Sequence, residues 1–257
     1  MKRHRQLPRL RRFAAAVAAL LSAAALAKTC LAAEASLNAE ELKVYSPGVT
    51  YGEREVEYRG FATGAGQQGF AFSASYSPTS YWESEAYEVL HRDPGGPLVG
   101  DKVQFEERFQ LAPPGEYWAD PGAIFEVEIP ERAGDPVEEE FTPILEKQFG
   151  RLVLTLNPSL EWQSGSNYAP GTGFHYAGRA EYLLSDYFAP AAEFYGEPGV
   201  IGNFPNSSEQ THMAGPAFYG TWRPGSRRTV NYSAALLFGL NAATPVRAVV
   251  TRLEFEF

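Results

Sequence analysis

The side chains best able to do acid-base chemistry beyond the first ninety residues are three histidines, His91, His175 and His212. A lipid hydrolase would need a serine nucleophile beside such a base, with a polar group to orient it. Ser185 follows His175 by ten residues and Ser233 is not near His212 in sequence, so no nucleophile and base share a strand two positions apart. The spacing suggests no metal site. The acid pairs Glu83 with Glu85 and Glu126 with Glu128 each point to one face of a strand, but a glycosidase needs a substrate cleft as well. Charges facing Arg neighbours account for them more simply. Gly64-Ala65-Gly66-Gln67-Gln68-Gly69 matches G-x-G-x-x-G, yet no helical period follows it, and a loop between strands explains it better. The reading is therefore non-enzymatic, with no catalytic residue, no metal and no cofactor.

The elements that would carry these residues begin with an export signal. MKRHRQLPRLRR holds six basic residues and no acid, and an apolar run from Phe13 to Ala27 follows. This is a positive region leading into a short hydrophobic one, with Ala33-Glu34-Ala35 as an A-x-A cleavage pattern, so residues 1–35 are expected to be a signal peptide. The single cysteine, Cys30, falls within it, and Lys28 and Thr29 spoil a lipoprotein pattern. The whole chain carries 22 basic and 31 acidic residues. Removing the signal leaves about 15 basic residues and a net charge of roughly −16, which argues against a nucleic-acid partner. No apolar stretch after the signal reaches eighteen residues, so helical membrane spans are excluded.

Residues 36–50 show no sustained period and read as a periplasmic leader. From Tyr51 onward, segments of about ten residues alternate in polarity between Gly, Pro, Asn, Asp and Ser clusters. Val103, Phe105, Phe109 and Leu111 fall on one parity, with Lys102, Gln104, Glu106, Arg108 and Gln110 on the other, and a strand places such sets on opposite faces. Leu253, Phe255 and Phe257 oppose Arg252, Glu254 and Glu256 in the same way. The pattern predicts about twelve strands, near 52–61, 69–77, 80–92, 100–111, 121–130, 138–149, 151–163, 173–184, 187–197, 210–221, 227–239 and 247–257. The third and sixth alternate imperfectly. Short turns at 77–79, 149–150, 184–186 and 224–226 contrast with longer loops at 131–137, 164–172 and 198–209, with the turn containing Ala112-Pro113-Pro114-Gly115 an exception in length.

Alternation alone also suits a soluble sandwich or lipocalin-like barrel. Two features favour an all-β, antiparallel up-and-down transmembrane β-barrel over residues 51–257. Aromatic residues, among them Tyr81, Trp82, Tyr117, Trp118, Trp162, Tyr187, Phe188, Tyr219 and Trp222, stand at or just beyond strand ends, as interfacial girdles would. The polar parity carries both signs of charge, which suits a polar lumen. Glu55, Glu57, Arg59, Glu106, Arg108, Glu126, Glu128, Glu161, Arg179, Glu181, Arg252 and Glu254 are expected to face that lumen.

The Glu55-Val56-Glu57-Tyr58-Arg59-Gly60-Phe61 opening, the Tyr117-Trp118-Ala119-Asp120 turn and the closing Leu-Glu-Phe-Glu-Phe resemble Gram-negative outer-membrane β-barrel proteins of uncharacterised role. Some of these are loosely grouped with transport proteins of meta-pathway phenol-degradation operons. The resemblance covers most of residues 44–257 and carries no catalytic motif. It implies the cell outer membrane as location, outer-membrane lipid and the barrel-assembly machinery as partners, and Phe257 as part of the assembly signal. The expected function is a narrow pore or transporter for small solutes or cations, with a small-molecule solute as partner. A non-transporting structural or adhesive barrel is the alternative, and a lipid-modifying enzyme the least favoured. Removing Phe257 is expected to lower the yield of folded barrel in membrane fractions, read by heat-modifiable gel migration. Normal yield would count against the assembly role.

Overall fold

A computed structural model describes Leu37, residues 42–225 and residues 228–257. The expected signal peptide over 1–35 lies outside the described residues. The strands are β1 (Arg54–Thr63), β2 (Gln68–Tyr76), β3 (Trp82–Arg92), β4 (Val99–Gln110), β5 (Asp120–Pro130) and β6 (Val137–Phe149), followed by β7 (Leu152–Ser164), β8 (Gly173–Tyr182), β9 (Ala189–Val200), β10 (Thr211–Trp222), β11 (Thr229–Gly239) and β12 (Arg247–Glu256). Each pairs antiparallel with its sequence neighbours, and β1 pairs with β12 to close a twelve-stranded barrel. Closure runs from Glu55 opposite Glu256 to Thr63 opposite Ala248. The end where β1 begins and β12 finishes is called proximal below, and the other end distal.

Alternation sorts the side chains between two environments. Val56, Phe72, Phe105, Phe125, Leu154, Leu236 and Leu253 turn outward and remain 39–53% exposed. Their neighbours in sequence turn inward and include Glu57, Arg59, Gln104 and Glu106, all no more than 4% exposed. A soluble barrel buries its apolar parity; this one presents it, an arrangement suited to hydrocarbon outside the wall. Tyr76, Tyr81, Trp118, Tyr182 and Tyr187 are exposed around the proximal end, and Trp162 and Tyr168 around the distal end. Tyr219 departs from the expected girdle. Phe218 and Trp222 hold the outward positions of β10, and the Tyr219 hydroxyl donates inward to Glu193. The turn-length contrast is also weaker than expected, because residues 111–119 form a long proximal connection and 64–67 a short distal one.

The two strands that alternate imperfectly have local causes. The β3 register shifts between Val89 and Leu90. The β6 ladder to β7 is interrupted between Phe141 opposite Leu160 and Leu145 opposite Leu156. Pro143 and Pro158 lie in that gap, and neither has an N–H to give to a ladder.

Of the segment expected as a periplasmic leader, Leu37 and residues 42–47 lie inside the barrel. Leu37 meets Gln67 at the distal end, accepting from its side-chain amide at 3.3 Å, while Val49 N–H donates to Gln110 Oε1 at 2.9 Å near the proximal end. Leu42, Val44 and Pro47 are buried. One side of the lumen is apolar, built from Phe61, Ala71, Met213, Ala217, Ala235, Leu237, Ala248 and Val250, and Leu37, Leu42 and Val44 pack against it. An aperiodic segment with three apolar side chains has a reason to enter such a lumen, since burial there removes them from water. We call residues 42–50 the strap.

Backbone approach is tightest where β10 leaves its ladder with β11. A Cβ added at Gly215 would lie 1.9 Å from the Leu236 carbonyl oxygen, whereas one at Gly178 would meet only the tip of the Phe194 ring. Gly215→Ala is expected to cost about 1–3 kcal/mol in urea unfolding of refolded protein. Gly178→Ala should cost less, because that ring is free to swing outward.

Candidate functional site

The inward faces divide the lumen into two spaces with the strap between them. The distal chamber is a cavity of about 70 Å³, and Glu126, Glu128, Glu138, Glu140, Glu161 and Glu197 all line it. The proximal vestibule is larger, about 670 Å³, and mixes Glu53, Glu55, Glu254 and Glu256 with Arg108, Arg179 and Arg252. Lys43 and Tyr45 line both.

The strand register brings the distal acids into an ordered row. Glu85 of β3 stands opposite Glu106 of β4, Glu106 opposite Glu126 of β5, Glu126 opposite Glu140 of β6, and Glu140 opposite Glu161 of β7. Five successive strands thus contribute one glutamate each, rising from beside the strap to the distal mouth. Directly opposed side chains have Cβ atoms about 4.5–5.5 Å apart, and like charges so placed repel. Basic side chains stand at both ends of the row. Lys43 Nζ lies 3.7 Å from Glu85, and His175 Nε2 lies 2.8 Å from Glu161 Oε2. Among the described residues, Glu106, Glu126 and Glu140 form no ion pair with Lys or Arg. Beside the row, Glu128 pairs with Lys102, which also approaches Glu138 at 3.7 Å.

The wall grips the strap mainly through polar groups. Asn157, beside the break between β6 and β7, accepts from Tyr45 N–H at 2.8 Å and donates to Tyr45 carbonyl oxygen at 3.0 Å, as a facing strand would. Ser46 donates to Glu146 Oε2 at 2.8 Å and accepts from Arg179 Nη2 at 3.0 Å, and its carbonyl accepts from Arg108 Nη1 at 3.1 Å. Arg108 also pairs with Glu83. Pro47 lies over Gly122, where an added Cβ would come within 2.8 Å of it.

All twelve residues selected from sequence lie on the inner face, but they serve different surroundings. Glu106, Glu126 and Glu161 belong to the row, and Glu128 stands next to it. Glu57 and Arg59 are linked at 2.8 Å and almost wholly buried. Arg108 holds the strap. Glu55, Arg179, Glu181, Arg252 and Glu254 line the vestibule, where Arg179 Nε lies 3.2 Å from Glu181 and Arg252 Nε lies 3.4 Å from Glu254. Sequence reasoning passed over Glu85 and Glu140 as row members, and Lys43, Tyr45, Asn157 and Gln104. The signal for the row was available only through cross-strand register. The histidines are far from a hydrolase arrangement. The Ser185 hydroxyl is turned to the Phe188 carbonyl in a proximal turn, while His175 belongs to the distal chamber. His212 Nδ1 meets the Tyr176 hydroxyl at 2.9 Å and its Nε2 meets Gln210 Oε1 at 2.8 Å.

Barrel closure also gathers acids from the first and last strands. Carboxylate oxygens of Glu55, Glu57 and Glu254 lie within 4.8 Å of one another, as do those of Glu53, Glu55 and Glu256. Burial, with Glu256 and Glu83 nearby, pushes the Glu53 carboxyl from its ordinary 4.5 up to about 7. The folded state therefore binds more protons than the unfolded chain between those values. Stability from this group is fullest below about pH 4.5 and falls as pH rises through about 7. Glu53→Gln is expected to remove that slope, a difference on the order of 1 kcal/mol once solvent screening of a half-buried group is allowed for. Unfolding titrations at about pH 4.5 and about pH 8 would measure it.

Among solved structures, the chain is similar to the NanC porin, with a TM-score of 0.55 at 11% sequence identity, covering 79% of this chain and 98% of that one. The outer-membrane protein Omp33 of Acinetobacter baumannii matches with a TM-score of 0.42 at 9% identity, covering 80% and 97%. The NanC likeness, at such low identity, is one of fold. No family model and no curated protein matches the chain, so the resemblance to phenol-pathway transport barrels rests on the segments quoted for it.

Proposed function

We propose that this protein is an outer-membrane pore for small cations whose lumen is divided by its own N-terminal strap. The observation that carries the reading is the row of five opposed glutamates ending at the strap, with acid-lined and mixed-charge spaces on either side. Like charges held this close repel, and the strain is relieved either by taking up protons or by drawing positive ions among them. A mobile cation in the chamber meets that need, and an anion does not. The outward apolar belt with aromatic residues at both ends supports a place in outer-membrane lipid, and the fold likeness to a porin agrees with it.

On this reading the barrel follows export through the signal over residues 1–35, and the barrel-assembly machinery acts on the closing strand and Phe257. A twelve-stranded lumen is narrower than that of the sixteen- to eighteen-stranded porins, and side chains and the strap fill much of it. Passage requires the strap to shift, and Asn157 is its most specific fastening.

Planar-bilayer recording tests this. Wild-type protein is expected to give small steps, with a reversal potential favouring potassium over chloride. Asn157→Ala, or deletion of residues 37–49, should raise the step size several-fold. Absence of conductance from the folded deletion variant would overturn the pore reading, and chloride preference would overturn its cation selectivity.

A further inference from the structure

Where the glutamate row meets the strap, the wall forms a cage around one ammonium group. Lys43 Nζ donates to Glu57 Oε2 at 2.8 Å and to the Tyr87 hydroxyl at 2.9 Å, with Glu85 at 3.7 Å. The three wall groups come from β1 and β3 and are no more than 5% exposed. An ammonium has three donors; two are met here by Glu57 and Tyr87, and the Glu85 carboxylate adds a second negative charge close by. The Tyr87 ring lies 5.5 Å from Nζ and the Tyr45 ring 4.6 Å from it, so aromatic surfaces complete the enclosure. The two carboxylates and Tyr87 belong to the barrel, whereas Lys43 and the Tyr45 ring belong to the strap.

A second observation shows polar capacity beyond what Lys43 uses. Gln104 stands directly opposite Tyr87, is wholly buried, and has neither its amide oxygen nor its amide nitrogen hydrogen-bonded among the described residues. Glu106 accepts from the Tyr87 hydroxyl at 3.3 Å through one oxygen, while its other oxygen accepts no hydrogen bond among the described residues. These groups belong to the stretch of wall along which a cation from the distal chamber would arrive.

We propose that Glu57, Glu85 and Tyr87 form a binding site for the primary ammonium group of a small amine, which Lys43 fills as a resident stand-in. Aromatic faces beside two carboxylates suit an organic cation better than a metal ion, whose oxygen ligands gain nothing from a ring. The four-carbon stem of lysine gives the reach of a ligand, a short alkylammonium. Its arrival would displace Lys43 and loosen the strap, and that transport role rests on the pore reading. The site itself does not.

Chemical rescue tests the cage. Full-length Lys43→Ala protein, refolded in detergent and checked by heat-modifiable migration, is titrated with n-butylammonium chloride. Sodium and tetramethylammonium chlorides at equal ionic strength serve as controls. The expected result is a saturable rise in the thermal midpoint with n-butylammonium alone, absent from wild type. Adding Glu57→Gln should weaken the apparent binding by about tenfold or more. Should Lys43→Ala fail to fold, Lys43→Met keeps the stem volume, and ammonium chloride should then stabilise it more than sodium chloride does. Equal responses to all salts, or none, would overturn the proposal and leave Lys43 a structural anchor. An amine response without bilayer conductance would keep the cage and remove the pore, while conductance without an amine response would remove only the cage.

Discussion

The pairing of β1 with β12 leaves no free edge in the sheet, so each strand has a hydrogen-bonded neighbour on both sides. That closure decides what the side chains can do. With alternation fixed, one parity must enclose a lumen too narrow for bulk water to solvate many charges, and the other must face outward. The inner charges are accordingly linked in short chains, such as Lys43 with Glu57 and Arg59, or Arg108 with Glu83 and Ser46. Closure also creates proximities that no hairpin provides, including the gathering of Glu55 and Glu57 with Glu254.

The lumen has two characters, and the strap is fitted to both. Its Leu42 and Val44 lie on the apolar side formed largely by β10, β11, β12, β1 and β2, while the intervening Lys43 faces acids and the Tyr87 hydroxyl. Apolar packing gives the strap its affinity for the lumen. The polar contacts give it a position, most clearly where Asn157 reads both the N–H and the carbonyl of Tyr45. An arrangement with unspecific packing on one side and directional fastening on the other can be released by changing the fastenings alone.

Sequence was a good guide wherever one strand could be read by itself. The segment expected at 138–149 is β6 (Val137–Phe149), and that at 247–257 is β12 (Arg247–Glu256), because period-two alternation is imposed by each strand's own pleat. It failed where a residue's role depends on partners distant in sequence. The strap has no period because its contacts, at Glu57, Gln110, Glu146 and Asn157, are scattered around the wall. Tyr219 passed for a girdle residue because it stands near the end of β10, and only its link to Glu193 reveals its facing. The acids of the row were visible singly, but their succession from strand to strand required register. Polarity was also an imperfect guide to facing: Glu107 stands among outward residues, accepting from Trp82 Nε1 and Ser84 Oγ, so the outer wall carries a carboxylate of its own.

The opposed glutamates have a further consequence for how the barrel finds its arrangement. On the membrane reading, a slip of one residue in any strand from β3 to β7 would send its carboxylate outward into hydrocarbon, at a cost of order 2 kcal/mol for each misplaced acid. The error would also bring large apolar side chains such as Phe105, Phe125 or Leu160 into the crowded interior. A feature that strains the correct sheet therefore penalises its near misses more heavily, and the most repulsive line of residues in the wall becomes a proofreading device for strand register.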